Sequence, residues 1–268
     1  MVGGVKAFYA VLLALGVGCG KAQLTLKQKA EQGNATAQNK LGTMYQHGKG
    51  AEKDDKEAVK WYRKAAEEGD ADSQYNLGVM YKNGSGVEKD DKEAVKWVRK
   101  AAEQNIPRAQ YNLGVSYAEG SGIEQDDKEA VKWYRKAAEQ GVTDAQHNLG
   151  VSYANGLGVE KDDKEAVKWY RKAAEEGDAD SQYNLGWMYK NGRGVEKDDK
   201  KAVKWVRKAA EQGIADAEYN LGVSYAEGSG IEQDDKEAAK WYRKAAEQGD
   251  EKAKAALKKL SEQEQPKP

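Results

Sequence analysis

The sequence is poor in the residues on which most enzymes and metal sites depend. Its 268 residues include one cysteine, Cys19, and two histidines, His47 and His147. A single cysteine cannot close a disulfide within the chain, and two distant histidines with no spare cysteine do not form a metal-ligand cluster. The serine-nucleophile motifs G-x-S-x-G and S-x-x-K are also absent. We therefore expect no enzymatic activity, no metal and no cofactor.

An excess of charge of one sign is missing as well. Lysine and arginine number 44 against 45 aspartates and glutamates, which gives a net charge of −1 at pH 7. This balance argues against a nucleic-acid partner, because nucleic-acid-binding domains usually carry a basic surplus. Charged residues make up 33% of the chain and phenylalanine occurs once. Such a composition is sparse for a compact globule and suits a fold that exposes more surface per residue.

The N-terminal residues 1–22 contain a short apolar run. Lys6 is followed by twelve apolar or small residues, Ala7 to Gly18. A helix needs about 20 residues to span a bilayer, so no transmembrane segment is expected here. The run matches the core of a secretory signal peptide, and we predict that residues 1–22 direct export.

Cys19 lies directly after this run and leaves two alternatives open. The segment Gly16-Val17-Gly18-Cys19 resembles a bacterial lipobox, although Gly16 stands where leucine is usual. In one alternative Cys19 is acylated and anchors the protein to the envelope. In the other, cleavage near Ala22 discards Cys19. Either alternative predicts an exported protein, which is periplasmic, envelope-anchored or secreted.

The dominant feature of the sequence is an internal repeat. The twenty residues 111–130 return unchanged at 219–238, and a leucine and a tryptophan each recur every 36 residues. A fixed period of this length indicates a repeat architecture. We predict one array over residues 23–260, closed by a capping helix and followed by a disordered polar tail at 261–268. Six full repeats begin at Asn34, Asp70, Ile106, Val142, Asp178 and Ile214.

A block of three repeats has been duplicated. Residues 70–141 and 178–249 match at 64 of 72 positions. A stack in which each repeat contacts only its neighbours tolerates such a duplication, whereas an active site built from unique residues would not be assembled this way. Four of the eight differences fall on predicted groove or exposed positions: Val79/Trp187, Arg108/Asp216, Ser85/Arg193 and Glu93/Lys201.

Each repeat is predicted to form two helices. In the second repeat, apolar residues at helical spacing predict a first helix from Asp70 to Asn83, which ends at Gly84. Asp90 and the glutamate three residues later form a capping-box pattern, which predicts a second helix over Asp91 to Gln104.

A glycine in the middle of the first helix points to close packing. Gly78 costs the helix ~1 kcal/mol relative to alanine, yet every repeat carries this glycine. We expect the second helix to cross closely at this point, with Trp97 lying over the gap. A single helix pair cannot cover its apolar face, so stacked pairs should share a continuous core. The predicted fold is an all-α solenoid of fourteen helices without strands.

The repeat pattern resembles that of the Sel1-like repeat family, a relative of the tetratricopeptide repeats. The pattern is A-x-x-x-L-G-x-x-Y-x-x-G-x-G-V followed by D-x-x-x-A-x-x-W-Y-x-K-A-A-x-x-G. In the first repeat it is carried by Ala37, Leu41, Gly42, Tyr45, Gly48, Gly50, Asp54, Ala58, Trp61, Lys64, Ala65 and Gly69. The resemblance implies a right-handed superhelix that binds other proteins, often as an adaptor.

The resemblance also predicts where a partner binds. In the related tetratricopeptide repeats, one side of the first helices lines a concave groove, and here that side carries the two residues before each leucine and the residue two after it. We predict a groove formed by Tyr75, Asn76, Arg108, Tyr111, Asn112, His147, Asn148, Tyr183, Asn184, Trp187, Asp216, Tyr219 and Asn220. Asparagine can both donate to and accept from a peptide backbone, and tyrosine and tryptophan are enriched at binding hot spots. The alternative is that the asparagines bond to neighbouring turns and the tyrosines fill gaps between repeats.

Three functions are compatible with these features. The leading hypothesis is an exported, monomeric scaffold that binds a protein or peptide in its groove. The second is an exported hydrolase that acts on cell-wall material, which would require a catalytic constellation that the sequence does not show. The third is a structural spacer, which predicts a groove without binding hot spots.

Overall fold

The structure, a computed structural model, describes residues 26–263, which form fourteen helices and no strand. The first helix, α1, covers residues 26–31. The others are α2 (Ala35–His47), α3 (Asp55–Glu67), α4 (Ala71–Asn83), α5 (Asp91–Glu103), α6 (Pro107–Glu119), α7 (Asp127–Glu139), α8 (Thr143–Asn155), α9 (Asp163–Glu175), α10 (Ala179–Asn191), α11 (Asp199–Glu211), α12 (Ala215–Glu227), α13 (Asp235–Glu247) and α14 (Glu251–Gln263). The predicted signal peptide over residues 1–22, including Cys19, lies outside the described residues.

The chain divides between Asp126 and Asp127 into two compact bodies. The N-terminal body contains α1 to α6 and the C-terminal body contains α7 to α14. Within each body, a first helix packs against the second helix of its own repeat, and that second helix packs against the first helix of the next repeat. This neighbour-to-neighbour packing is that of an α-solenoid, as predicted.

The helix ends are fixed by local hydrogen bonds. The Asp90 side chain accepts from the amide nitrogens of Lys92 and Glu93, at 2.9 and 3.0 Å, and so caps α5. The Glu93 carboxylate does not complete the predicted capping box but pairs with Lys96 at 2.8 Å. After the end of α5, Asn105 has a left-handed backbone conformation, with φ of 65°, at the position where the other repeats carry a glycine. The two helices of the second repeat therefore begin and end within a residue of their predicted positions.

In α2, α4, α8, α10 and α12 the mid-helix glycine lies at a close helix crossing, but tryptophan does not cover it. A Cβ atom on Gly78 would lie 2.6 Å from Cγ2 of Val98 and 3.0 Å from the carbonyl oxygen of Ala94. In other repeats the equivalent neighbour is Tyr62, Tyr170, Val206 or Tyr242. The prediction that Trp97 lies over the gap is therefore wrong, because the residue after the tryptophan occupies that place.

The tryptophans instead join one repeat to the preceding one. Trp97 belongs to a buried cluster with Tyr62 and Ala66 of the preceding second helix and with Leu77 of its own repeat. Adjacent helix residues point in directions about 100° apart, since a helix has 3.6 residues per turn. A helix that turns Val98 towards the glycine must therefore turn Trp97 towards the preceding repeat.

A buried glutamine makes a second joint between repeats. Gln74 is 4% exposed, and its Nε2 donates to the Ala66 carbonyl oxygen at 3.1 Å. That carbonyl lies in the last turn of the preceding second helix, where backbone acceptors lack intrahelical partners. The same bond recurs from four more glutamines, Gln38, Gln110, Gln146 and Gln182.

The sixth repeat breaks this pattern with a buried acid. Glu218 occupies the glutamine position, is 4% exposed, and accepts from Gln248 Nε2 at 2.8 Å. An ionised carboxylate has no hydrogen to donate to the carbonyl that a glutamine would reach. Burial accordingly raises the pKa of Glu218 above its ordinary value of 4.5.

The last helix closes the C-terminal body and runs three residues further than predicted. Ala253 is buried, and Leu257 and Leu260 pack against the core of that body. Lys258 stands 36 residues after Gly222, so the position that allows a close crossing in other first helices carries a long charged side chain here. The helix continues through Gln263, which corrects the prediction that the tail is disordered from Ser261; residues 264–268 lie beyond the described part.

Replacing Glu218 by glutamine should stabilise the chain at neutral pH and change little near pH 4. The folded pKa of Glu218 is raised, so folding favours the protonated acid. That contribution is complete below the unfolded pKa and is lost as the pH rises through the folded pKa. Glu218→Gln removes the loss and restores a donor, and we expect a gain of about 1–2 kcal/mol near pH 7.5. Urea denaturation at several pH values measures it.

The matched control is Glu227→Gln, on the exposed part of the same helix. Its unfolding free energy should run parallel to that of the parent chain across the same pH range. A gain from Glu218→Gln that is equal at pH 4 and pH 7.5 would contradict the assignment, because it would not depend on the protonation of residue 218.

Candidate interaction surface

The predicted groove residues lie on one side of the first helices, which we call the first-helix face. The N-terminal body carries Tyr75, Asn76, Arg108, Tyr111 and Asn112; the C-terminal body carries His147, Asn148, Tyr183, Asn184, Trp187, Asp216, Tyr219 and Asn220. The tyrosines, the asparagines and His147 are half-buried, whereas Arg108, Trp187 and Asp216 are exposed. Each body therefore presents a polar and aromatic row that is only partly open to solvent.

Part of this row makes joints between repeats. His147 Nδ1 lies 2.8 Å from Ser181 Oγ and 3.2 Å from an oxygen of Asp178, the residue that caps the next first helix. Asn39 makes the same two contacts one block earlier, donating to Asp70 and Ser73. Burial opposes ionisation of Asp178, but hydrogen bonds from His147 and Ser181 outweigh it and lower the pKa of Asp178 to about 2. His147 therefore links its own repeat to the next one.

The sequence holds a signal for these joints that the search for a groove missed. Asn39 and His147 each stand 31 residues before an aspartate cap, Asp70 and Asp178. In other repeats the equivalent residue is a tyrosine and the N-cap residue 31 positions later is apolar. The pairs are Tyr75 with Ile106, Tyr111 with Val142 and Tyr183 with Ile214. Asparagine or histidine is therefore found at this position where the N-cap residue of the next first helix is an aspartate, and tyrosine where that N-cap residue is apolar. Tyr219, which stands 31 residues before Asp250, is the exception.

Tyr183, Asn220 and Tyr219 are also engaged inside the C-terminal body. Asn220 Nδ2 donates to the Tyr183 hydroxyl at 3.0 Å and to the Asp216 carbonyl oxygen at 2.9 Å. Burial, followed by the charge of Asp216, raises the pKa of Tyr183. The Tyr219 ring lies 5.7 Å from that of Tyr242. These side chains therefore shape the face while they hold neighbouring helices together.

Trp187 differs from the tyrosines and His147 of the row because it is exposed to solvent. It is 40% exposed, whereas five of the other six tryptophans are buried and Trp205 is half-buried. The Arg193 guanidinium carbon lies 5.2 Å from the centre of its ring, within the range of a cation–π contact. Arg193 is itself held by two bonds to the Asp163 carboxylate, of 3.0 and 2.6 Å.

Two of the eight differences between the duplicated blocks therefore form one contact. Trp187 and Arg193 replace Val79 and Ser85, and both replacements are needed for the ring to lie under a guanidinium. Sequence reasoning treated Arg193 only as an exposed charge change. The sequence signal for this contact is the spacing of six residues between Trp187 and Arg193, which lie on either side of the end of α10 in one repeat.

A cleft opens beside Trp187, between α10, α11 and α12. It is lined by Tyr183, Gly186, Trp187, Lys190, Ala202, Val203, Val206, Asn220 and Ser224. A cleft at the equivalent place in the N-terminal body has Val79 where this one has Trp187. That cleft shares the matching residues Gly78, Lys82, Ala94, Val95, Val98, Asn112 and Ser116. The N-terminal cleft is also lined by Asp91 and Ser121 and the C-terminal cleft by Tyr183, so the two clefts differ at these positions as well as at the tryptophan.

Neither a metal-ligand cluster nor a membrane-spanning helix is found in the described part of the chain. Between residues 26 and 263, no group of three or more histidine, cysteine, aspartate or glutamate side chains is placed to hold a metal ion. No helix in that range is long and apolar enough to cross a bilayer.

Comparison with known proteins identifies the repeat. The family model described as "Sel1 repeat" matches six consecutive stretches, residues 35–70, 71–106, 107–142, 143–178, 179–214 and 215–250. A solved structure of c5321, a protective antigen of uropathogenic Escherichia coli with an SLR fold, is 43% identical, with a TM-score of 0.84. The match covers 90% of this chain and 52% of that one, so this chain spans about half the length of the antigen.

A second solved structure, a Sel1 repeat protein from Oxalobacter formigenes, is 44% identical with a TM-score of 0.69. The match covers 80% of this chain and 88% of that chain. A comparison with curated proteins gives no match.

A double-mutant cycle should show that Trp187 and Arg193 stabilise each other. We expect Trp187→Val and Arg193→Ser, which restore the residues of the sister block, to be non-additive by about 0.5–1 kcal/mol, the usual strength of an exposed cation–π contact. Urea denaturation of the two single variants and the double variant measures the coupling. The matched cycle of Trp187→Val with Lys201→Glu, another restoration in the same block, should be additive. Additivity in both cycles would contradict the contact.

Proposed function

We propose that this chain, which belongs to the Sel1 repeat family, is an exported, monomeric scaffold that binds an extended segment of a partner protein along its first-helix face. Sel1 repeat proteins are generally protein-interaction scaffolds. The observation that carries the proposal is the exposed Trp187, held by Arg193 beside a cleft.

An exposed tryptophan favours a binding function over that of a structural spacer. Tryptophan, tyrosine and arginine are the residues most enriched at binding hot spots, and Trp187, Tyr183 and Arg193 lie together in one repeat. The bidentate pair between Arg193 and Asp163 restrains the guanidinium over the ring. A restrained side chain loses less conformational entropy on binding than a free one, so the indole is prepared for contact.

The asparagine row suits an extended partner segment. Asn76 and Asn112 in the N-terminal body, and Asn148 and Asn184 in the C-terminal body, are half-buried at the same register of their first helices. Each amide can both donate to and accept from a peptide backbone, which supports recognition that does not depend on partner side chains. Specificity would then come from the positions where repeats differ, among which Trp187 is an exposed aromatic residue.

The Trp187→Val variant should lose affinity for peptide ligands while it remains folded. A library of displayed random peptides is selected on the purified chain, and the enriched peptides are synthesised and titrated by calorimetry. If Trp187 is a hot spot, Trp187→Val should weaken binding by about 2 kcal/mol or more, about thirtyfold. Its melting temperature should change little, because valine is the residue of the sister block.

Two further variants serve as controls. Ala239→Val also restores a sister-block residue, and it should leave peptide affinity unchanged. Trp169→Ala removes a buried side chain and should cost about 3–5 kcal/mol of stability. Peptides that bind Trp187→Val as tightly as the parent would remove the best residue from the proposal. A selection that enriches no peptide would count against peptide binding as a whole.

The proposal of export depends on residues 1–22. A relative described as a protective antigen supports a location that antibodies can reach. If Cys19 is acylated, the chain expressed in a bacterial host should label with palmitate and partition into detergent, and Cys19→Ser should abolish the labelling. Soluble release with an N-terminus near Gln23 would instead favour ordinary signal cleavage. Retention of residues 1–22 in the cytoplasm would contradict export.

A further inference from the structure

The cleft beside Trp187 has a chemistry that indicates what kind of side chain enters it. We propose that it receives one bulky apolar side chain of the partner segment, with a carboxylate immediately next to that side chain. This inference rests on the proposed function, because it assumes that a peptide segment lies on the first-helix face.

The apolar part of the cleft is formed by Trp187 with Val203 and Val206. Gly186 allows α11 to pack closely against α10, since a Cβ there would lie 2.7 Å from Val206 Cγ2, and this packing places the valine at the floor of the cleft. The exposed indole forms a wall beside this floor. An aliphatic or aromatic side chain placed here would remove apolar surface of the indole from water, which is the main favourable term in association.

A second exposed apolar side chain lies in the preceding repeat. Leu157 is 47% exposed, and together with Trp187 it makes up the large exposed hydrophobic side chains of the described residues. Leu157 stands 36 residues before Arg193, so it occupies the same register one repeat earlier. The two exposed apolar side chains therefore lie on successive repeats of the C-terminal body, as an extended segment would require.

The charge at the cleft is positive. Lys190 follows Trp187 by one helical turn and lines the cleft. Arg193 is neutralised by Asp163, whereas no carboxylate lies within ion-pair distance of Lys190 among the described residues. The other polar lining groups, Tyr183, Asn220 and Ser224, are uncharged. A carboxylate next to the apolar side chain would complement Lys190, and a basic partner residue would be repelled.

The N-terminal body supplies a built-in comparison. Its equivalent cleft has Lys82, Val98, Asn112 and Ser116 but carries Val79 in place of the tryptophan. Asp55 stands where Asp163 stands in the later block, and Ser85 where Arg193 stands. The pair of changes Val79→Trp and Ser85→Arg should therefore build a second copy of the pocket in the same chain.

The test uses a defined peptide, acetyl-Gly-Ser-Gly-Leu-Asp-Gly-Ser-Gly-amide, and the full chain labelled with 5-fluorotryptophan. The fluorine resonance of Trp187, assigned from its loss in Trp187→Val, should shift saturably with peptide at millimolar concentration. A peptide with alanine in place of leucine should bind about tenfold more weakly, because one or more lost methylenes in an apolar pocket have effects of this size. A peptide with asparagine in place of aspartate should bind about threefold more weakly, as expected for a partly exposed ion pair.

Variants of the chain separate the two halves of the pocket. Lys190→Ala should abolish the preference for aspartate over asparagine and keep the preference for leucine over alanine. Val79→Trp combined with Ser85→Arg should raise the peptide stoichiometry from one to two. A Trp187 resonance that does not move at ~10 mM peptide, an ion-pair preference that survives Lys190→Ala, or an unchanged stoichiometry would each overturn the proposal.

The outcome is distinguishable from a failure of peptide binding in general. If displayed peptides bind the chain but carry no apolar–acidic pair and tolerate Trp187→Val, the pocket is wrong while the scaffold function stands. If no peptide is enriched and the defined peptide also fails, both proposals fall.

Discussion

The close approach of two helices at the mid-helix glycine is the contact on which the rest of the structure depends. At Gly78 the space that a side chain would need is filled by Val98 and by the Ala94 carbonyl, so the hairpin closes to the distance of backbone contact. That crossing sets which way the second helix faces. Once Val98 points to the glycine, Trp97 must point to the preceding repeat, where it joins the cluster with Tyr62 and Ala66. One small residue therefore organises both the hairpin and its joint to the neighbouring repeat.

The joints between repeats add polar specificity to this apolar packing. Gln74 satisfies a carbonyl at the end of the preceding helix, and the Asn39 amide bonds to the cap of the following one. Both bonds act on a backbone or capping group at a helix end, where acceptors lack intrahelical partners. These bonds set the position of one hairpin along the next, which apolar contact alone does not determine. Glu218 shows that a joint can lose its donor and still remain buried, at the cost of a raised pKa.

The parts of this structure that sequence reasoning predicts correctly are those set by contacts a few residues apart. The first helix was expected over Asp70 to Asn83 and is found over Ala71–Asn83, because the Asp70 cap and the Gly84 exit are local features. The parts it missed depend on how repeats are placed in space. Trp97 and Val98 are adjacent in sequence, and only the crossing geometry decides which one meets the glycine. The pair of Arg193 with Asp163 joins residues 30 apart, through a loop laid against the preceding repeat.

The candidate site follows the same division. Its register on the first helices was predictable, because helical periodicity places those residues on one side. Which of these residues remain accessible to a partner was not predictable. His147 and Asn220 bond to side chains of neighbouring repeats, and no local pattern reveals those bonds. Trp187 and Arg193 could change without disturbing the stack, because neither occupies the glycine, glutamine or tryptophan positions that hold repeats together. A duplicated block therefore gives a repeat protein a stable frame on which two surface substitutions, in contact with each other, are enough to make one repeat chemically different from its sister.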